Sequence, residues 1–135
     1  MNNEEKKQYL RRYQEAKKRA KRIQEEIDAL RSRETSPVGL GDGLPHGSGT
    51  SDLSGYAARL DELLRELEAE KEMQMIVYRE IRQQIGTVSD ATEQEILSRR
   101  YLLGQSWEKI AVEMKYSYRH VTKLHGYALN HFEIP

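Results

Sequence analysis

From Tyr9 to Leu30 the apolar residues Tyr9, Tyr13, Ala16, Ala20, Ile23, Ile27 and Leu30 follow one another at alternating steps of four and three. That alternation keeps a single stripe on one side of a helix and makes the seam of a coiled coil. It predicts a long amphipathic helix over residues 1–34. The two alanines thin the middle of the seam, so a partner helix can come close there. A second stripe, formed by Leu60, Leu63, Leu64, Leu67, Met73, Val77, Ile81 and Ile85, predicts another long helix over 53–86, with Asp52 or Ser54 as its cap. Lys71 and Gln74 interrupt its heptads. Between the two lies TSPVGLGDGLPHGSGTSD, residues 35–52, with five glycines in eighteen positions and prolines at 37 and 45. Such a stretch predicts a flexible linker. It lacks the glycine spacing and the following Lys-Ser/Thr of a phosphate-binding loop.

The pattern then shortens. Gly86 ends the second helix, and Asp90, three residues before Glu93, gives a box-like start to a helix over 91–103. Gly104 supplies a left-handed residue to stop it. Ser106 and Ser117 are capping residues for helices over 107–114 and 118–132. Within this last stretch Ile110, Met114, Tyr116, Val121 and Leu124 are apolar, and the small Ala111 follows Ile110. Two short helices crossing steeply need this spacing: the small residue lets the backbones approach and the apolar ones fill the wedge. Strand-like alternation is absent from the sequence. The expected fold is all-α: a long N-terminal helical hairpin or an intermolecular coiled coil, then a helix-turn-helix domain over 87–135.

Composition narrows the functional classes. The chain has 135 residues, 37% hydrophobic and 33% charged, which suits long helices burying narrow stripes. It has no cysteine, so disulfide frameworks and thiolate metal sites are excluded. The four histidines (His46, His120, His125 and His131) lack metal-ligand spacing, and no cofactor is expected. The apolar runs are too short for a membrane span and the polar N-terminus has no signal-peptide core, which makes the cytoplasm the expected compartment. No nucleophile–base pair or paired-carboxylate motif points to an enzyme.

Net charge is zero, with 22 basic and 22 acidic residues, but the charge is uneven. Residues 1–34 hold 11 basic and 7 acidic side chains, and residues 53–85 hold 5 and 7, so the long helices are weakly complementary. From Lys115 to His131 there are three basic residues, three histidines and no acid. A DNA-binding surface depends on where charge lies rather than on its total.

On the last helix, Val121, Leu124 and Ala128 are expected to face Ile110 and Met114. The opposite face then presents Ser117, Tyr118, Arg119, Thr122, Lys123 and Gly126 to double-stranded DNA. Arg119 can bond both O6 and N7 of guanine. Tyr118 and Thr122 can meet a thymine methyl or a phosphate, and Lys123 and Lys109 can meet phosphates. His120 and His125 are expected to flank this face on the phosphate side. The free amides behind Ser117 offer a further phosphate contact. Trp107 is expected to pack between helices rather than stack on a base.

The segment EILSRRYLLGQSWEKIAVEMKYSYRHVTKLHGYAL resembles region four of bacterial sigma factors. The likeness rests on Glu95-Ile96-Leu97, Arg100-Tyr101, Gly104-Gln105-Ser106, Glu108-x-Ile110-Ala111, and Ser117 ahead of a basic helix. The wording SWEKIA…YSYRHVTKLHGYAL is similar to small phage-encoded regulators, the ArpU- and RinA-type late-transcription activators. The close likeness covers about residues 90–132. It implies promoter-type DNA recognition, with RNA polymerase as a further partner. Lys115 departs from the pattern, standing where such turns commonly have glycine, and the rest of a sigma factor is missing. Two alternatives compete: a phage small terminase subunit for DNA packaging, which would assemble into rings, and a coiled-coil interaction protein that forms homo-oligomers through its N-terminal helices.

Overall fold

The structure is a computed structural model that describes residues 2–35 and 49–135, with side chains over 2–33 and 53–135. It is all-helical. The elements are α1 (Asn3–Thr35), α2 (Gly49–Ile85), α3 (Ala91–Leu97) continuing into a π-helical turn (Ser98–Leu102), α4 (Trp107–Met114) and α5 (Tyr118–His131). Among the described residues, no helix is long and apolar enough to cross a membrane.

The stretch expected as a linker lies outside the described residues from 36 to 48. Its last residues, from Gly49, already belong to α2, so Asp52 and Ser54 fall inside that helix rather than at its cap. Glycine, serine and threonine are weak helix formers, but nothing after Pro45 sterically forbids the helix.

The chain forms two compact units, Met1–Ala16 with Met73–Pro135, and Lys17–Glu72. The second is an antiparallel pairing of α1 and α2. Ala20, Ile27, Leu63 and Leu67 are buried there, with Ile23, Leu30 and Leu60 packed on them. Arg19 Nε meets Glu70 Oε2 at 3.2 Å alongside. Leu64, expected in the stripe, is 39% exposed, lying beside the ladder of buried Leu63 and Leu67 and half-buried Leu60.

The first unit extends past the boundary expected at residue 87. Leu10 of α1, Val77, Ile81 and Ile85 of α2, and Leu97, Tyr101, Ala128, Leu129 and Phe132 share one core. Tyr9, Tyr13 and Tyr78 pack against it, the last two edge to face with ring centroids 5.1 Å apart. Glu80 accepts from Tyr9 Oη at 3.0 Å and from Arg12 at 3.3 and 3.4 Å. The Arg12 bond holds the Glu80 carboxyl below its ordinary range, while burial and then Glu80 push the Tyr9 phenol up to about 12. Met73 is 46% exposed, outside this core.

The helix expected over 91–103 is α-helical only as far as Leu97. It then widens, and Leu103 N–H reaches back to Ser98 O at 3.0 Å. Gln14 Nε2 of α1 donates to the carbonyls of Tyr101 and Leu102, both at 3.2 Å. Gly104 follows with φ +68°, and a Cβ there would lie 2.9 Å from Gln14 Oε1. Glycine at 104 is therefore called for by its left-handed backbone, and a Cβ there would also have to displace the Gln14 amide.

Candidate nucleic-acid interface

Ser106 and Ser117 cap the last two helices as their sequence positions predict. Ser106 Oγ accepts from Lys109 N–H at 3.2 Å, and Ser117 Oγ accepts from His120 N–H at 3.1 Å. Between the helices Lys115 adopts φ 60°, ψ 40°, the left-handed conformation that its place in the turn demands. Tyr116 N–H closes the end of α4 by bonding Ala111 O at 3.0 Å, a Schellman-type arrangement. Left-handed backbone costs a non-glycine residue about 1–2 kcal/mol, so the turn is held against strain.

Val121 packs with Ile110, Ala111, Trp107 and Met114, filling the wedge between α4 and α5. Tyr116, expected in that wedge, is 39% exposed and lies edge-on to His120, 4.8 Å between rings. Leu124 is half-buried and outside the cluster. Ala128 belongs to the larger core below.

His125 does not flank the outer face. It is 7% exposed, and its Nε2 lies 2.8 Å from the Tyr101 hydroxyl. Burial first, then the nearby charges of Lys7, Arg100 and Arg11, lower its pKa to about 4, and burial raises the Tyr101 phenol to about 12. Both groups are neutral at pH 7, so one proton bridges them, and the imidazole tautomer sets which of the two donates. Trp107 lies 4.5 Å from the His125 ring and has the Arg100 guanidinium 4.3 Å over its own, which makes it a packing residue.

The C-terminal end of α5 is tied down by distant parts of the chain. Lys6 Nζ donates to Leu129 O at 2.8 Å and to Asn130 O at 3.4 Å, placing a positive charge at the negative end of the helix. Asn3 Nδ2 donates to Asn130 Oδ1 at 3.1 Å. Glu93, expected to complete a capping box with Asp90, instead pairs with His131 Nδ1 at 2.7 Å. Asp90 still caps α3 through Glu93 N–H at 3.0 Å.

With Val121, His125, Ala128 and Leu129 buried, the helical repeat turns Arg119, Lys123, Gly126, Tyr127 and Asn130 outward. Arg119 and Lys123 are exposed, and the Lys123 ammonium lies 6.0 Å over the Tyr127 ring. Ser117, Tyr118 and His120 are exposed around the start of α5, and Thr122 and Gly126 are half-buried. Thr122 Oγ1 donates back to Arg119 O at 3.0 Å, which leaves its methyl and a lone pair for any outside contact. Lys109 is exposed on α4. Tyr127, 45% exposed, and Asn130 were missing from the expected set. Steps of four from Arg119 through Lys123 to Tyr127, or of four, three and four through Gly126 to Asn130, would have found them.

This face carries two cations, hydroxyls, an aromatic ring and an amide, and the segment around it has no carboxylate from Lys115 to His131. Its chemistry fits phosphate oxygens and base edges. Compared with known proteins, the chain matches no family model, no curated protein and no solved structure.

Proposed function

We propose that this chain is a sequence-specific double-stranded DNA-binding protein, a transcription regulator that lays α5 in the major groove with α4 and α5 as a helix-turn-helix. One observation carries the reading: α5 buries one face completely while its opposite face is exposed, cationic and free of acids. Arg119 on the first turn reads a base edge, Lys123 contacts a phosphate, and the first amides of α5 receive a phosphate at the positive end of the helix dipole. The resemblance of residues 90–132 to sigma region four and to small phage-encoded activators supports a regulatory role beside RNA polymerase.

Selection of bound duplexes from a random or genomic pool tests this. An enriched sequence is expected, with an affinity that falls steeply as salt rises. Arg119→Ala should weaken the selected site by about 1–3 kcal/mol and relax one position in it, while Lys123→Ala should weaken all sequences alike. Absence of any preferred duplex sinks the proposal. A ring of many copies, measured by mass, would favour a packaging subunit instead.

A further inference from the structure

Gly126 has no role inside the molecule that only glycine could fill. Among the described residues Gly104 is the glycine with a positive φ, so Gly126 is ordinary helical backbone. A Cβ built on it meets nothing within 4 Å, so no neighbouring element presses on it. Glycine in a helix interior is nevertheless destabilising relative to alanine, because it loses more backbone freedom on folding. Its position is also specific. It stands seven residues after Arg119, two turns along the same outward face and roughly 10 Å further down the axis. Lys123 and Tyr127 stand beside it, with the Lys123 ammonium near the Tyr127 ring.

We propose that Gly126 is the point of closest approach between α5 and the duplex, where a sugar–phosphate strand walling the major groove passes against bare helix backbone. This rests on the DNA-binding reading above and sets how deeply α5 seats. The N-terminal half of such a helix reaches base edges while the later turns meet the backbone of the duplex. A strand wall therefore fits Gly126 better than a base does.

The test uses the full chain and the duplex selected for the wild type, with Gly126→Ala and Gly126→Gln compared at fixed salt. Both replacements are uncharged and are better helix formers than glycine, so Tm should rise by about 3 °C for each. Binding should move the other way, weakening by about fivefold for alanine and about a hundredfold for glutamine, as side-chain volume is forced into a filled contact. The selected sequence should stay the same. Unchanged affinity in both variants overturns the inference and leaves the DNA-binding reading standing. A fall in Tm overturns it by showing that the fold itself requires glycine. A changed sequence preference overturns the strand-wall assignment in favour of a base edge. A wild type that selects no duplex removes both readings together.

Discussion

In Lys17–Glu72 the two long helices meet along Ala20, Ile27, Leu63 and Leu67, a narrow aliphatic seam with the Arg19–Glu70 pair at its side. In the unit formed by Met1–Ala16 and Met73–Pro135 the same two helices bury Leu10, Val77, Ile81 and Ile85 against Tyr101, Leu129 and Phe132. They also make directed polar bonds, from Gln14 to the π-helical turn and from Lys6 to the end of α5. The first region is held chiefly by non-directional aliphatic burial, with the Arg19–Glu70 bond beside it. The second is held in one register by bonds with fixed geometry. That difference suits the role proposed for α5: a surface that reads base edges needs its helix held to within a fraction of an ångström.

The strongest way to break this contrast is to open each core. Phe132 and Ile27 are both fully buried. Phe132→Ala should cost about 3–5 kcal/mol and Ile27→Ala about 2–5 kcal/mol in urea unfolding. Only Phe132→Ala should also weaken duplex binding at a temperature where both variants remain folded. Equal loss of binding in the two would erase the distinction.

Acid is the next lever. His125 has its pKa lowered to about 4 from 6.5, so its neutral form is built into the fold. The unfolded chain takes up the proton first as pH falls, so stability is full above about 6.5 and is lost progressively toward 4. The loss is of order 3 kcal/mol across that window. Tyr101, Trp107, Arg100, Lys7 and Arg11 surround the imidazole, and the cations among them disfavour its protonation further. His125→Gln should flatten this part of the stability–pH curve, and a curve of unchanged slope would count against the assignment.

The smallest effects concern the polar ties. Gln14→Ala removes the donor to two part-buried carbonyls and should cost about 1–2 kcal/mol. Arg19→Ala breaks an ion pair whose side chains are 42% and 28% exposed and should cost about 0.5 kcal/mol or less. Equal costs, measured side by side, would mean the ties in the two regions do not differ in kind.

Sequence patterning located what depends on neighbours in the chain. Asp90, Ser106 and Ser117 cap, Gly104 turns left-handed, and Lys115 accepts the same strained conformation, because caps and turns are decided within a few residues. The seam of α1 was readable for the same reason. Leu10 was not, since the residues seven before and after it, Asn3 and Lys17, are polar and the core it joins includes Ala128, Leu129 and Phe132 from the other end of the chain. Nothing in the local sequence marks Gln14 or Lys6, because their carbonyl acceptors belong to distant segments. Its polar side chain makes His125 an outward residue on the sequence alone. Yet Val121, His125, Ala128 and Phe132 are spaced four, three and four, a buried stripe that periodicity alone would have assigned. Side-chain type misled there because the Tyr101 hydroxyl that lets a histidine lie inside belongs to another helix.

The bond from Lys6 to the last turn of α5 spans 123 residues of sequence. It makes the opening turn of α1 a handle on the far end of the helix proposed to enter the groove. A fused domain or a gripping partner pulling on that turn would have a direct polar connection to the last turn of α5. Acetylating Lys6 would strip the handle of its positive charge and of all but one N–H donor, while leaving every outward-facing residue of α5 in its own chemical state.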